Sequence, residues 1–203
     1  AVLWVLVPPP PKTIEMATGF PTGLYYQFGE RLKAELAEDR ITLDVMETGG
    51  TVDNLNLLGD SKSEVDFAIV QGGVADIAQY PKLVSIAGMY YEPVWVWYRE
   101  EVFKGEGGLK VLNQLKGKRV SIGNEGSGTL VLSNALLKVS GLSEDQLRAE
   151  KIKPDQAVEK LNRGELDVAF IVVAAEAPII KKFYEVPGIR LMNFEQADAY
   201  TRN

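Results

Sequence analysis

Apolar residues along this chain switch between strand-like and helix-like spacing, and the same order of switches occurs twice, about 100 residues apart. In the first half, Thr13 to Ala17 alternates and runs to Gly19, as a strand does. From Gly23 to Ala37, Leu24, Phe28, Leu32 and Leu36 recur every fourth position, which predicts an amphipathic helix. Ile41 to Met46 alternates again. A helix is expected through Val52, Leu55 and Leu58, capped by Gly50 or Thr51. Val65 to Val70 is nearly all apolar, as expected of a strand covered on both faces. A short helix through Ala78 follows Gln71-Gly72-Gly73.

The aromatic stretch after it, with Pro93 inside, reads as a strand over Leu83–Gly88 and a crossing over Val94–Tyr98. A short helix over Val111–Leu115 leads into the second copy. There a strand over Val120–Gly123 precedes a helix over Gly128–Val139, stopped by Gly141. Pro154 starts a helix over Asp155–Leu161, and Leu166–Val173 is a buried strand. Pro178 precedes a helix over Ile179–Tyr184, and Ile189–Phe194 is the last strand. Strands alternate with helices throughout, so the class is α/β with mostly parallel sheets. The repeat divides the chain into lobe 1 (residues 13–94) and lobe 2 (residues 95–194), with a cleft between them. Residues 195–203 turn back toward lobe 1.

Composition narrows the chemistry. There is no Cys and no His among 203 residues. That removes thiolate nucleophiles, disulfides, Cys/His metal sites and a Ser-His-Asp triad. No cofactor and no metal is expected. The net charge of −6 and the scattered Lys and Arg argue against a nucleic-acid partner. Residues 1–12 form an apolar and proline-rich segment, Ala1–Val7 followed by Pro8–Pro11. Seven apolar residues cannot span a bilayer, which needs about 20. The segment is read either as the tail of a membrane helix or signal segment with a stiff proline spacer, or as a strand packed on lobe 1.

The residues that could bind something sit between strands and helices. Gly126-Ser127-Gly128-Thr129 would aim helix-start N–H groups and two hydroxyls at an anion. No Lys-Ser/Thr follows its glycines, so it is not a phosphate loop of the Walker type. Pro21-Thr22-Gly23 with Tyr25 is the equivalent loop of lobe 1. Thr48-Gly49-Gly50-Thr51-Val52 and Gln71-Gly72-Gly73 are two more. All lie beyond the carboxyl ends of predicted strands, where open α/β sheets bind ligands. Asp66 and Asp167 occupy matching repeat positions at strand starts, the wrong end for the cleft, and read as anchors. Glu92, Glu125 and Glu176 are better placed to meet a ligand ammonium. In the aromatic group Tyr90, Tyr91, Trp95 and Trp97, alternate residues would wall the cleft, Tyr91 among them.

The ordered set Ala17-Thr18-Gly19, Gly23-Leu24-Tyr25-Tyr26, Thr48-Gly49-Gly50-Thr51-Val52, Gln71-Gly72-Gly73, Tyr90-Tyr91-Glu92-Pro93 and Gly126-Ser127-Gly128-Thr129 resembles the TAXI family of solute receptors. The resemblance covers Thr13 to Tyr200. It implies a two-lobed periplasmic-binding-protein fold of type II. It implies an extracytoplasmic or periplasmic subunit of a TRAP transporter, closing over a small organic acid, glutamate-like or another carboxylate, and delivering it to a membrane permease. Ligand contacts would fall on Gly19, Thr22, Gly23, Tyr25, Thr48, Thr51, Val52, Gln71, Gly72, Tyr91, Ser127, Gly128 and Thr129. Phe20, Pro21 and Thr22 stand where the family often has glycines. Family members continue past the position of Asn203 to complete lobe 1, so lobe 1 is expected to be incomplete here. The apolar start is similar to that of a membrane-anchored subgroup. Two rivals remain open: a membrane-tethered ligand-sensing domain of a signalling protein, and an enzyme with two cleft carboxylates about 5–9 Å apart. The reading adopted is a binding module, not an enzyme.

Overall fold

The computed structural model of the protein describes residues 12–194 apart from Ile77. Two sheets carry the fold. The first is parallel throughout, with order β2-β1-β3, from β1 (Thr13–Ala17), β2 (Thr42–Met46) and β3 (Phe67–Ala68). The second has order β6-β5-β7-β4-β8, from β4 (Val94–Arg99), β5 (Arg119–Ser121), β6 (Arg148–Glu150), β7 (Val168–Val172) and β8 (Ile189–Leu191). In it β6, β5 and β7 are parallel, while β4 runs antiparallel to both of its neighbours.

Helices follow the strands: α1 (Leu24–Glu38), α2 (Thr51–Gly59), α3 (Glu100–Phe103), α4 (Gly128–Val139), α5 (Pro154–Asn162) and α6 (Pro178–Tyr184). Their ends obey local chemistry. Ser127 caps α4 by accepting the Leu130 N–H at 3.1 Å. Pro154 and Pro178 occupy first-turn positions, where the missing N–H costs nothing. Gly141, in the left-handed region, ends α4 while the Leu142 N–H reaches back to the Leu137 carbonyl at 2.9 Å.

The core is heaviest around the second sheet, with a layer on each face. Val168 and Phe170 of β7 face one layer with Phe103, Leu112, Leu115 and Leu137. Ala169 and Ile171 face the other, with Leu161, Ile179 and Phe183. The first sheet buries less, chiefly Met16, Ala17, Leu43 and Leu55.

The repeat is exact down to hydrogen bonds. The Asp66 N–H donates to the Glu15 carbonyl at 3.0 Å, and its carboxylate accepts the Glu15 N–H at 2.9 Å. Asp167 does the same with Arg119, also at 2.9 Å, and adds a fork to the Arg119 guanidinium. Each aspartate therefore clips the start of a central strand to its neighbour, as an anchor would.

Several expected elements differ. Leu83–Gly88 is not a strand, and Val84 and Ile86 are 84% and 86% exposed. A strand needs a ladder partner for its backbone groups, and no described residue offers one there. In the second sheet the corresponding place beside β7 is held by β4. The same vacancy leaves β3 only two residues long, instead of Val65–Val70. Val94–Tyr98 is not a plain crossing but most of β4. The stretch near Ala78 forms turns rather than a helix. The edge strand β6 escaped the periodicity reading because Arg148 and Glu150 flank a single apolar residue. The segments 1–11 and 195–203 lie outside the described residues. No described helix is long and apolar enough to cross a membrane.

Asp167→Ala is expected to lower the unfolding free energy by about 2 kcal/mol at neutral pH, the loss of hydrogen bonds to a charged group tempered by the partial exposure of Arg119. Burial acts to raise the Asp167 pKa, but the hydrogen bonds from Arg119 outweigh it and hold the carboxyl below its ordinary value. A depressed folded-state pKa stabilises above the unfolded value near about 3.9 and is lost as pH falls through the folded value. Urea unfolding of wild type and variant should differ at pH 7 and converge in strong acid. A gap that persists in acid would assign the effect to packing.

Candidate functional site

The loops at the carboxyl ends of β1, β2, β3, β5 and β7 converge on one cleft. Its wall is Gly19, Phe20, Gly23, Leu24, Tyr25, Gly49, Gly50, Thr51 and Gln71 on the lobe 1 side, with Glu92 beside the crossing. Ser127, Gly128, Thr129, Val172 and Val173 come from lobe 2. Counted out to its open mouth, the space between these residues is about 400 Å³.

The lobes touch across the cleft. At the start of α2, the Val52 and Asp53 N–H groups donate to the Gly126 carbonyl at 2.8 and 3.2 Å. The Asn124 carboxamide donates to the Gly49 carbonyl at 2.9 Å. Thr22 donates to Asp155 at 2.7 Å, and Lys153 pairs with Glu47 at 3.0 Å. Gly126 has φ of +79°, and a Cβ there would run into the Asp53 carboxylate. A Cβ on Gly128 would meet the Gln71 side chain, and Thr51 Oγ1 at 3.3 Å. Glycine is what lets these backbones approach.

Several expected ligand hydroxyls are committed to the scaffold. Ser127 Oγ donates to the Asn124 carbonyl at 2.6 Å besides capping α4. Thr129 Oγ1 accepts the Val172 N–H at 3.1 Å. Thr48 donates to Asn54 and accepts the Gly50 N–H. What remains for a ligand at the start of α4 is the Thr129 hydroxyl proton and backbone: the first N–H groups of a helix have no intrahelical acceptor, and Ser127 takes only that of Leu130.

On the lobe 1 side the Tyr25 hydroxyl donates to Glu92 Oε2 at 2.6 Å. Burial, with the Glu92 charge behind it, pushes the Tyr25 phenol above its usual range. Burial likewise raises the Glu92 carboxyl, while the Tyr25 hydrogen bond pulls the other way.

Of the residues expected to bind, Gly19, Gly23, Tyr25, Thr51, Gln71, Ser127, Gly128 and Thr129 meet at the cleft. Thr22, Thr48 and Val52 stand behind it, in the contacts just described. Gly72 has nothing near it, and Tyr91 is 96% exposed, pointing away. Alternation along Tyr91-Glu92 turns the carboxylate inward and the ring outward. Two working residues carried no sequence signal strong enough to single them out. Buried Asn54 donates to the Thr18 and Ile69 carbonyls at 2.6 and 2.8 Å, tying two cleft loops together. Asn124 joins the lobes.

The model of the NMT1-like family matches residues 16–202. The chain belongs to the NMT1-like family. Its fold is that of type II periplasmic binding proteins. The alkanesulfonate-binding protein SsuA of Xanthomonas axonopodis pv. citri, bound to MOPS, matches with a TM-score of 0.57 and 18% identity over 90% of this chain and 61% of that one. The periplasmic aliphatic sulphonate binding protein SsuA of Escherichia coli matches at 0.54, with 17% identity over 90% and 60%. The BenM effector binding domain with its effector benzoate matches at 0.54, with 13% identity over 92% and 79%. This NMT1-like chain thus spans only about three fifths of the two sulfonate-binding proteins. The TAXI subtype is not what the family match identifies.

Gly126→Ala places a methyl group against Asp53 in a left-handed backbone, at a cost of about 1–2 kcal/mol. The variant should hold its lobes apart, with a larger radius of gyration by small-angle X-ray scattering than the wild type. An unchanged radius would show that the Gly126 contact does not govern closure.

Proposed function

We propose that this NMT1-like chain is an extracytoplasmic solute-binding module that captures a small organic acid by closing two lobes over it. The observation that carries the reading is the cleft itself. Loops from both sheets meet at the carboxyl ends of parallel strands, and the start of α4 offers backbone N–H groups toward the space between them. No Lys-Ser/Thr follows the glycines of the loop before α4, which argues against a nucleotide phosphate held in the Walker manner. The relatives point the same way by their names: one sulfonate-binding protein holds MOPS, and the BenM domain takes benzoate.

Delivery to a membrane permease follows from the same reading. The TAXI resemblance favours a TRAP permease and a glutamate-like or other carboxylate ligand. A relative from Methylobacillus flagellatus named as a putative sulfonate ABC transporter component favours the other transporter class. A second reading is ligand sensing: the BenM effector binding domain, which shares the fold, takes its effector benzoate. A ligand stabilises the closed state only through contacts absent from the open one.

Thermal unfolding against a panel of amino acids, dicarboxylates, keto acids and sulfonates tests the proposal. A true ligand at a hundred times its Kd should add about 2.7 kcal/mol to stability and raise Tm with dose. No shift with any acid, on folded protein, would overturn it.

A further inference from the structure

Among the described residues, Glu92 is the single ionisable carboxylate in the cleft wall, and no Lys or Arg lines that wall. One of its oxygens receives the Tyr25 hydroxyl. Behind it, Thr51 Oγ1 accepts the Gln71 N–H at 3.0 Å. Among the described residues, nothing donates to the second Glu92 oxygen, and no cation forms an ion pair with it. A half-buried carboxylate in such a place is costly unless something pairs with it.

The opposite wall has the reverse character. The start of α4 presents donors and the positive end of a helix dipole. Thr51 stands within reach of Gly128, so the acceptor chain and the donor wall border the same space. A simple organic anion satisfies the donors but leaves Glu92 unpaired and repelling it. A molecule with both an acid group and an ammonium group satisfies both walls.

We propose that the cleft selects acids that also carry an amine, with the acid group at the start of α4 and the ammonium on Glu92, held in place by Tyr25. This rests on the acid-binding reading above and narrows its ligand class. It makes Glu92 the residue that determines specificity, with Tyr25 as its positioning residue.

Matched pairs of ligands test it: glutamate against glutarate, γ-aminobutyrate against butyrate, and taurine against ethanesulfonate. Each is titrated calorimetrically into wild type, Glu92→Gln and Tyr25→Phe. In at least one pair the amine-bearing member should bind the wild type tenfold or more tighter. Glu92→Gln should erase that preference by weakening the amine-bearing member, and Tyr25→Phe should reduce it less. The wild-type comparison stands even if a variant fails to fold. If plain acids bind as tightly as their amino counterparts, or diacids bind best through a protonated Glu92, this inference falls while the acid-binding reading stands. If neither member of any pair binds, this inference falls, and the wider acid panel decides the acid-binding reading.

Discussion

Two glycine-bearing loops meet across this molecule, and the cleft depends on that meeting. Gly49 and Gly50 end the loop after β2, and Gly126 and Gly128 bracket the loop after β5. Their backbones come close enough for the Gly126 carbonyl to accept two N–H groups from the first turn of α2. Those N–H groups are orphans by helix geometry. One lobe thus caps a helix of the other. Any side chain at these glycines would push the lobes apart, and with them Gln71, Thr51 and the start of α4, which face one another only because the loops touch. The flanking pairs, Thr22 with Asp155 and Lys153 with Glu47, lie nearer solvent and contribute less each. They fit a role in orienting the closure that the backbone contact makes.

The repeat explains why such a contact arises at all. Each half begins with a central strand whose neighbour is clipped to it by an aspartate, Asp66 on Glu15 and Asp167 on Arg119. Each then sends a helix from a small-residue loop at the carboxyl end. Two units of one design, placed face to face, present equivalent loops to one another. They are unequal in completeness. The second sheet has β4 and β8 beyond β7, while the first stops at β3 among the described residues. That asymmetry shows in the core, which is thick around the second sheet and thin around the first, and in the exposure of Val84 and Ile86.

Most of this was legible in the residues themselves. The four-residue spacing of Leu24, Phe28, Leu32 and Leu36 marks α1 because a helix face recurs on that period, whatever it packs against. Ser127, Pro154, Pro178 and Gly141 mark helix ends because capping is local. Strand existence is not local. Leu83–Gly88 has the composition of a strand, yet pairing depends on a neighbour that periodicity cannot see. Arg148–Glu150 has the opposite property: charged residues at an edge, paired because β5 is there. In the site, glycines and small polar residues were readable as loops, but the destination of each hydroxyl was not. Ser127 and Thr129 look like ligand donors in a string of letters, and in three dimensions their oxygens serve the scaffold. Tyr91 and Glu92 are adjacent, and only the twist of the crossing decides which one faces inward.

Among the described residues no Lys or Arg lines the cleft wall, which constrains how this protein could hold an acid. An arginine fork would bind carboxylate or sulfonate strongly in either lobe position, because it carries its own charge and flexible reach. Backbone N–H groups at a helix start carry only partial charge and cannot follow the ligand. Their contribution is realised when the lobes close and water leaves, since a lower local dielectric strengthens a fixed dipole and a hydrogen bond alike. Recognition built this way couples affinity to closure more tightly than a preformed ion pair would. It also makes the uncompensated Glu92 charge matter more, because closure that strengthens the donors on one wall strengthens equally whatever Glu92 attracts or repels on the other.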